Sequence, residues 1–433
     1  MQIFRIQGGS RLSGEVKIDS AKNSVLPILA ACVMIEEPVT LLDVPDIEDV
    51  SNMIEILRSI GARVECDNGT VTVHAKDGLA DELPPHLEKK LRASVFLVGP
   101  ILSRLRAVTF GYPGGCEIGL RPIDLHERGL KALGVVIEEA DGRLCCDGRD
   151  MRGADIHFDY PSVGATENII MAAALLPGET VIHNAAREPE IVDLARFMNA
   201  CGANVSGAGE QDITIQGVKR LHGTQFRPIA DRIVAGTMLA ASAITGGDLH
   251  IVNAPVADMT AQFDKLRSMG CDIQDESGST GSKGSIGSIR LRTPRRLRSF
   301  GQIETLPHPG FPTDMQAPMF ALAAVADGVS QLVETIFENR FQHAHDLQMM
   351  GADVTINERI AVVRGVQHLH GARVKAHDLR SGAALTIAAL AAEGQTEIEQ
   401  IGQIDRGYAA LEVRLRALGA RIVRVEERTG SNN

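Results

Sequence analysis

The fold is decided by a short motif that first occurs as Leu57-Arg-Ser-Ile-Gly61-Ala-Arg-Val and returns five times. The other copies are Leu130-Lys-Ala-Leu-Gly134-Val-Val-Ile, Met198-Asn-Ala-Cys-Gly202-Ala-Asn-Val, Leu266-Arg-Ser-Met-Gly270-Cys-Asp-Ile, Leu347-Gln-Met-Met-Gly351-Ala-Asp-Val and Leu415-Arg-Ala-Leu-Gly419-Ala-Arg-Ile. The glycines lie 73, 68, 68, 81 and 68 residues apart. Each copy predicts the end of an amphipathic helix, where glycine forms a left-handed cap before a strand.

A second pattern precedes each copy, namely a helix of small residues, a short turn and a strand. One example is Asn168-Ile-Ile-Met-Ala-Ala-Ala-Leu-Leu followed by Pro177-Gly-Glu-Thr-Val-Ile. Each repeat therefore contains two helices that alternate with strands, which predicts an α/β fold. Repeats of this kind bury their apolar faces against one another. Six of them fit one closed ring or two domains of three.

The composition limits the classes of function. The 433 residues include 55 acidic and 44 basic side chains, for a net charge of −11, and aromatic residues make up 3% with no Trp. This balance argues against a nucleic-acid surface or an anionic membrane surface. The longest apolar run, 24–35, is interrupted by Pro27 and is shorter than the ~20 residues of a spanning helix. With no signal-peptide core at the N-terminus, we expect a cytoplasmic protein.

The cysteines and one Gly/Ser-rich segment have no assigned chemistry. The seven cysteines are odd in number and lack metal-ligand spacing, so reduced thiols and no metal site are expected. The segment 275–288 lengthens one repeat and is expected to be a flexible surface insertion.

The start of each small-residue helix carries an unusual polar residue. Counted to the next repeat glycine, the distances lie between 37 and 42 residues for Lys22, Arg92, Ser162, Asp231, Asp314 and Arg380. Equivalent positions in similar repeats should gather at one end of each domain, where helix N-termini favour anions. Helix capping is the alternative for Ser162, Thr166 and Asp231. The cations oppose the helix dipole, although Lys22 or Arg92 alone could be a solvated charge.

A glycine-rich loop, 112–126, interrupts the alternation of helices and strands. Its Cys116 is expected to be exposed, and Arg121 favours the thiolate whereas Glu117 opposes it. A small buried hydrophobic residue is the alternative for this cysteine. As a nucleophile Cys116 would need a base such as His126, and donation or acceptance of a proton fits equally well.

Three polar clusters follow strands, at 184–190, 337–340 and 405–408. Surface salt bridges are the alternative explanation for each. Arg406, beside Gly407, has the planar fork that suits a carboxylate or phosphate. Asp314 follows a proline-rich turn at a helix start, where the helix dipole is expected to keep it ionised and able to accept a hydroxyl proton.

Taken together, these motifs resemble those of the enolpyruvyl transferases, and in particular the bacterial UDP-N-acetylglucosamine 1-carboxyvinyltransferases. The matching segments are Pro113-Gly-Gly-Cys116 with Arg121-Pro122, Ser162-Val-Gly-Ala-Thr166, Asn184-Ala-Ala-Arg-Glu-Pro-Glu190, Phe311-Pro-Thr-Asp-Met-Gln316, Phe337-Glu-Asn-Arg340 and Asp405-Arg-Gly-Tyr408. The likeness runs nearly from end to end.

The resemblance implies two inverse α/β domains, each of three βαβαββ-like units, with the active site in the cleft between them. The first domain would span 22–230 and carry the Cys116 loop. The second would combine 1–21 with 231–433 and carry Asp314, Arg380 and Arg406. The implied reaction is enolpyruvyl transfer from phosphoenolpyruvate to the 3-hydroxyl of UDP-N-acetylglucosamine, the first committed step of peptidoglycan synthesis. It implies a monomer without metal or cofactor, whose partners are its two small-molecule substrates.

The resemblance also assigns individual residues. Lys22, Asn23, Arg121 and Arg406 match phosphoenolpyruvate-binding positions, and Lys22 and Arg406 are counted with the catalytic residues. Cys116 matches a proton donor that fosfomycin alkylates, and Asp314 matches a group near the attacking hydroxyl. Positions that match the sugar-nucleotide site are Asn23, Arg92, Arg121, Pro122, Ile123, Asp124, Leu125, Ser162, Val163, Gly164, Asp314 and Ile336. Positions expected to line the cleft are Glu188, Asp231, Glu338, Arg340, Asp378 and Arg380.

The chain departs from the family pattern at three positions. Ser20 stands where many relatives have glycine, Tyr160 where some have lysine, and Glu117 adds a negative charge beside Cys116. Two rival functions remain. The shikimate-pathway enolpyruvyl transferase shares the architecture but lacks the Pro-Gly-Gly-Cys loop. A non-enzymatic ring or clamp of six units would not need Lys22, Cys116, Asp314 and Arg406 together.

Overall fold

The computed structural model describes residues 1–76, 78–112, 118–119, 122–276 and 287–427. The contacts divide these residues into two units. The discontinuous unit contains 1–19, 118–119 and 230–427, and the middle unit contains 20–76, 78–112 and 122–229. Both chain crossings fall within two residues of the boundaries expected from the sequence. The grouping of 118–119 with the discontinuous unit was not expected. The exact limits of the two domains stay a prediction, namely 22–230 for the first and 1–21 with 231–433 for the second.

The strands of the described residues are short, and most contain three to six residues. They are β1 (Gln2–Gln7), β2 (Ser13–Lys17), β3 (Val39–Leu41), β4 (Arg63–Asp67), β5 (Thr70–His74), β6 (Ala107–Gly111), β7 (Val136–Ala140), β8 (Arg143–Asp147), β9 (Asp155–His157), β10 (Glu179–His183), β11 (Asn204–Ser206), β12 (Asp212–Gln216), β13 (Gln225–Phe226), β14 (Asp248–Ala254), β15 (Asp272–Asp275), β16 (Gly287–Arg292), β17 (Gln302–Glu304), β18 (Val329–Val333), β19 (Asp353–Asn357), β20 (Ile360–Arg364), β21 (Arg373–Lys375), β22 (Gln395–Glu399) and β23 (Arg421–Glu426).

The helices are α1 (Lys22–Ala31), α2 (Glu48–Ser59), α3 (Pro85–Glu88), α4 (Val98–Leu105), α5 (Asp124–Ala132), α6 (Val163–Ala173), α7 (Pro189–Ala200), α8 (Arg232–Ile244), α9 (Thr260–Ser268), α10 (Gln316–Val325), α11 (His343–Met349), α12 (Leu379–Ala391), α13 (Gly402–Asp405) and α14 (Leu411–Ala417). Short 3₁₀ turns occur at Cys32–Met34, Arg92–Leu97, Val256–Met259 and Thr313–Met315.

Each unit contains three small sheets built on the same repeat. In one repeat, β9 and β10 are parallel across α6, and after α7 the strands β11 and β12 form an antiparallel pair beside β10. Ile182 in β10 lies opposite Ile156 and Ile213, and this row of side chains is buried. The strand–helix order βαβαββ follows from these pairings. The predicted fold, two α/β domains made of such repeats, is confirmed.

The sheets at the chain crossings exchange strands between distant parts of the sequence. β1 lies between β22 and β23 and is antiparallel to both. β2 precedes α1 in the chain but pairs in parallel with β14. β13 precedes α8 but pairs in parallel with β3. The last strand before each crossing therefore stays in the unit that the chain is leaving. β2 remains in the discontinuous unit, and β13 remains in the middle unit.

The six repeat glycines confirm the helix ends that the sequence predicts. Gly61, Gly134, Gly202, Gly270, Gly351 and Gly419 all have positive φ, between 93° and 104°. An L side chain is strained in this conformation, which explains glycine at each helix end.

The helices of small residues lie in the cores of the units. In the discontinuous unit, α8, α10 and α12 pack against one another, and nearly every residue of α12 is buried. A helix that is apolar on all sides is stable only when it is surrounded by other elements. This packing holds the N-terminus of each of these helices, with its unusual polar residue, at a defined position in the unit.

No helix of the described residues is long and apolar enough to cross a membrane. The Gly/Ser-rich segment connects β15 to β16, and its residues 277–286 lie outside the described residues.

Candidate active site

Asp314 forms the centre of a cluster of charges in the discontinuous unit. It lies in the 3₁₀ turn Thr313–Met315 that leads into α10. Its Oδ1 accepts a hydrogen bond from Arg340 Nη2 at 2.7 Å, and its Oδ2 accepts one from Arg380 Nη2 at 2.8 Å. The two arginine side chains are only 3% and 6% exposed, whereas Asp314 is 26% exposed. The carboxylate is therefore held by two buried arginines and remains partly exposed to solvent.

The two arginines keep Asp314 ionised. Burial raises the pKa of this carboxyl, but Arg380 and Arg340 lower it by more, so that the pKa lies well below its usual range. The helix dipole expected from the sequence stays a prediction, and the two arginines are a cause that the sequence did not indicate. Both guanidinium groups lie within hydrogen-bond distance of the carboxylate, in a 3₁₀ turn that leads directly into α10.

Buried Glu334 connects the Asp314 turn to the loop after β18. Its carboxylate accepts hydrogen bonds from Thr313 Oγ1 at 2.9 Å and from the backbone N–H groups of Ile336 and Phe337. This connection fixes the segment that carries Arg340 beside Asp314. Glu338 lies further along the loop, is exposed and pairs with Arg359 at 3.3 Å. The structure thus brings Ile336 and Arg340 to the turn but gives Glu338 another partner.

Arg380 and Asp378 have different roles at the start of α12. Asp378 caps the helix by accepting hydrogen bonds from the N–H groups of Arg380 and Ser381. The guanidinium of Arg380 contacts Asp314 and also donates from Nη1 to Tyr408 Oη at 3.1 Å. Asp231 caps α8 in the same way as Asp378 caps α12. A substrate contact of either aspartate stays a prediction.

Arg406 follows the one-turn helix α13 and is half-buried. Its Nη1 donates to Gln403 Oε1 at 3.3 Å. Two residues later, Tyr408 is buried and bonds to Thr237 Oγ1 at 2.9 Å and to Arg380. Arg406 is therefore close in sequence to a side chain that contacts the Asp314 cluster.

In the middle unit, Lys22 and Asn23 form the first turn of α1. Lys22 Nζ lies 2.5 Å from Asp49 Oδ2, and the lysine side chain is 12% exposed. Lys22 is therefore not a solvated surface charge. A cation at a helix N-terminus is unfavourable by itself, and the carboxylate of Asp49 offsets this cost.

Most of the described residues matched to the sugar-nucleotide site lie at helix starts of the middle unit, whereas Asp314 and Ile336 lie in the discontinuous unit. Ser162 caps α6 by accepting from Ala165 N at 3.4 Å, and Val163 and Gly164 begin this helix. A Cβ added to Gly164 would lie 2.9 Å from His126 Nε2, so α6 begins against α5. The first residues of α5 and the positions before it are Pro122, Ile123, Asp124 and Leu125. Arg92 begins the 3₁₀ turn that precedes α4, and α4 packs on α6.

Several buried acidic residues were not predicted from the sequence. Glu167 in α6 is fully buried, and its carboxylate oxygens have no hydrogen-bond partner among the described residues. Burial raises its pKa well above the usual range, and Glu190 and Glu188 raise it further. Glu188, predicted to line the cleft, lies at the start of α7 and close enough to act on Glu167.

Asp193 is a second such acid. Its Oδ2 accepts hydrogen bonds from Ser24 Oγ at 2.5 Å and from Ile229 N at 2.9 Å. It thereby supports the first turn of α1, which carries Lys22. The available signal was an acidic residue between the apolar side chains of Val192 and Leu194.

Cys116, Glu117 and Arg121 lie outside the described residues, and so do their predicted roles. The described cysteines are all free thiols. Within the described ranges, no group of three or more His, Cys, Asp or Glu side chains could hold a metal ion.

Comparisons with known proteins identify the family. The family model described as EPSP synthase (3-phosphoshikimate 1-carboxyvinyltransferase) matches residues 6–415. The chain is 47% identical over 422 residues to UDP-N-acetylglucosamine 1-carboxyvinyltransferase 2 of Caldanaerobacter subterraneus subsp. tengcongensis, covering 98% of this chain and 99% of that one. It is 46% identical to UDP-N-acetylglucosamine 1-carboxyvinyltransferase of Nitratidesulfovibrio vulgaris (strain DSM 19637 / Miyazaki F), with the same coverage.

Solved structures agree in fold. The enolpyruvyl transferase NikO from Streptomyces tendae superposes with a TM-score of 0.86 at 25% identity and covers 99% of each chain. EPSP synthase from Acinetobacter baumannii reaches a TM-score of 0.77 at 20% identity over 98% of this chain and all of that one, which supports the fold alone. The chain therefore belongs to the enolpyruvyl transferase family described by the EPSP synthase model, and within it to the UDP-N-acetylglucosamine 1-carboxyvinyltransferases.

Proposed function

We propose that this protein transfers the enolpyruvyl group of phosphoenolpyruvate to the 3-hydroxyl of UDP-N-acetylglucosamine and releases phosphate. The observation that carries the proposal is the 47% identity, over 98% of the chain, to a relative named for this reaction. The cluster around Asp314 supports it, because it supplies an ionised and reachable carboxylate for a substrate hydroxyl.

The reaction is an addition followed by an elimination. The 3-hydroxyl oxygen bonds to C2 of phosphoenolpyruvate while the methylene carbon gains a proton and the hydroxyl loses one. The methyl group then gives up a proton, the C–O bond to phosphate breaks, and the enol ether forms. Both substrates are anionic, so cations must offset their repulsion. We assign this role to Lys22, Arg121 and Arg406 for phosphoenolpyruvate and to Arg92 for the sugar nucleotide. Asn23 is assigned to phosphoenolpyruvate as an uncharged hydrogen-bonding contact.

Asp314 is proposed to orient the 3-hydroxyl and to take its proton late. A carboxylate with so low a pKa is a weak base toward a free hydroxyl, but it is a good hydrogen-bond acceptor. As the new C–O bond forms, the oxygen becomes positively charged and its proton becomes strongly acidic. Transfer to Asp314 is then favourable, and the carboxylate meanwhile stabilises the developing charge.

Cys116 is proposed to donate the proton to the methylene carbon, and fosfomycin is expected to alkylate its thiol. The predicted sugar-nucleotide contacts are assigned to the helix starts of the middle unit and to Asp314 and Ile336. The proposed setting is peptidoglycan synthesis in the cytoplasm, hence cell-wall biogenesis, cell shape and division, with the enzyme acting as a monomer.

The test measures phosphate release from phosphoenolpyruvate with each of two acceptors, UDP-N-acetylglucosamine and shikimate 3-phosphate. Release only with the UDP-sugar supports the proposal. Release only with shikimate 3-phosphate would assign the chain to the other enolpyruvyl transferase. Calorimetry with UDP-N-acetylglucosamine separates the proposed enzyme from a non-enzymatic clamp, for which no binding heat is expected.

A further inference from the structure

The one-turn helix before Arg406 has a polar anchor, an arginine in β23. Asp405 precedes Arg406, and its two carboxylate oxygens accept hydrogen bonds from Arg424 in β23. The distances are 2.8 Å from Nη1 to Oδ2 and 2.7 Å from Nη2 to Oδ1. This is the paired fork geometry that gives arginine–carboxylate contacts their strength and fixed orientation.

Arg424 is itself fixed by further contacts with Glu412, Gln2 and Phe4, and its Nη1 donates to Gln2 Oε1 at 3.1 Å. Its Nε donates to Glu412 Oε1 at 2.8 Å, and its Nη2 donates to Glu412 Oε2 at 3.2 Å. Its guanidinium carbon lies 5.1 Å from the centre of the buried Phe4 ring, opposite Phe4 in the β1–β23 pairing. Held by a sheet, a helix and an aromatic face, the guanidinium has little freedom and can act as a rigid support.

The segment that carries Arg406 needs such a support. α13 contains only Gly402–Asp405, and one helical turn is unstable without outside contacts. On the C-terminal side of Arg406, the buried side chain of Tyr408 anchors the chain through Thr237 and Arg380. On the N-terminal side, the pair between Asp405 and Arg424 is the corresponding polar anchor.

We infer that Arg424 is a positioning residue for phosphoenolpyruvate binding, because it holds Asp405 and thereby fixes Arg406. The inference rests on the proposed function, in which Arg406 binds phosphoenolpyruvate. Arg424 also neutralises the carboxylates of Asp405 and Glu412, which would otherwise repel an anionic substrate and compete for Arg406. Loss of Arg424 is therefore expected to weaken binding of one substrate rather than both.

The experiment compares steady-state kinetics of R424M, R424K and D405N with a matched control, R373M. Arg373 lies in β21 of the same sheet and pairs with Glu397, Glu399 and Glu427, but it has no contact with α13 among the described residues. We expect R424M and D405N to raise the KM for phosphoenolpyruvate about 10- to 100-fold, the cost of a misplaced substrate contact. The KM for UDP-N-acetylglucosamine should stay within about twofold of wild type, because Arg406 is assigned to phosphoenolpyruvate alone. General damage to the protein would instead raise both KM values. R373M should change neither constant, and R424K should lie between wild type and R424M.

A double variant and an R406A variant make the outcomes distinct. If the two residues act as one pair, D405N/R424M is no worse than the more damaged single variant. The inference is overturned if R406A raises the KM for phosphoenolpyruvate whereas R424M and D405N do not. It is also overturned if these two variants raise both KM values equally. If R406A itself leaves the KM for phosphoenolpyruvate unchanged, the proposed role of Arg406 fails instead. Should R424M not fold, D405N and R424K carry the same comparison.

Discussion

Replacing Asp314 with asparagine should damage both stability and turnover, because two buried arginines depend on its charge. The carboxylate accepts charge-assisted hydrogen bonds at 2.7 and 2.8 Å from Arg340 and Arg380. Asparagine offers one acceptor oxygen, and its amide group would face a guanidinium. Bonds to charged groups contribute about 1.5–3 kcal/mol each, and an unpaired buried charge is costly. We therefore expect D314N to lose about 3 kcal/mol of unfolding free energy.

The dependence on pH follows from the lowered pKa of Asp314. The carboxyl is ionised in the folded protein at pH values where an unfolded chain would begin to protonate it. Its stabilising contribution is therefore complete above the unfolded pKa of about 3.9 and is lost as the pH falls toward the folded value. The difference in stability between wild type and D314N should stay constant from pH 8 to pH 5 and shrink only in stronger acid.

The assay combines urea unfolding at several pH values with phosphate release. We expect turnover of D314N to fall about 10²- to 10⁴-fold, the usual contribution of a group that positions and accepts a proton. D353N is a matched control, because Asp353 pairs with Arg364 at 3.7 Å on the surface and should cost about 0.5 kcal/mol or less. The reasoning is refuted if D314N and D353N are equally stable, or if the gap to wild type closes between pH 8 and pH 5.

Three further predictions use other residues. C116A should nearly abolish phosphate release with an unchanged circular dichroism spectrum, and wild-type release from this variant would remove the assigned role. Fosfomycin should leave a covalent adduct on Cys116 in peptide mass spectrometry, and an unmodified peptide would contradict a reactive thiol. Burial raises the pKa of Asp193 to about 6, above the unfolded value of about 3.9, so wild type should lose stability relative to D193N as the pH rises from about 4 to about 7 and should change little above that. The loss relative to D193N should approach about 2–3 kcal/mol in urea unfolding, and parallel curves would contradict it.

Local chemistry made much of the candidate site predictable. The N-cap functions of Ser162 and Asp231 follow from side chains that can accept from their own first turn. The cations Lys22 and Arg380 were recognisable because capping could not explain them. Their partners were not recognisable, because Asp49 and Asp314 lie 27 and 66 residues away in the sequence. An ion pair between distant residues leaves no periodic pattern from which it could be predicted.

The repeats and their helix ends were determined by the sequence alone, since a left-handed glycine after an amphipathic helix is a local property. The tertiary structure decided which charged residues interact with one another. The lowered pKa of Asp314 comes from Arg340 and Arg380, and the segment before Arg406 is held by Arg424. The physical reason is that electrostatic energy depends on distance and burial, and both are set only when distant strands and helices pack together.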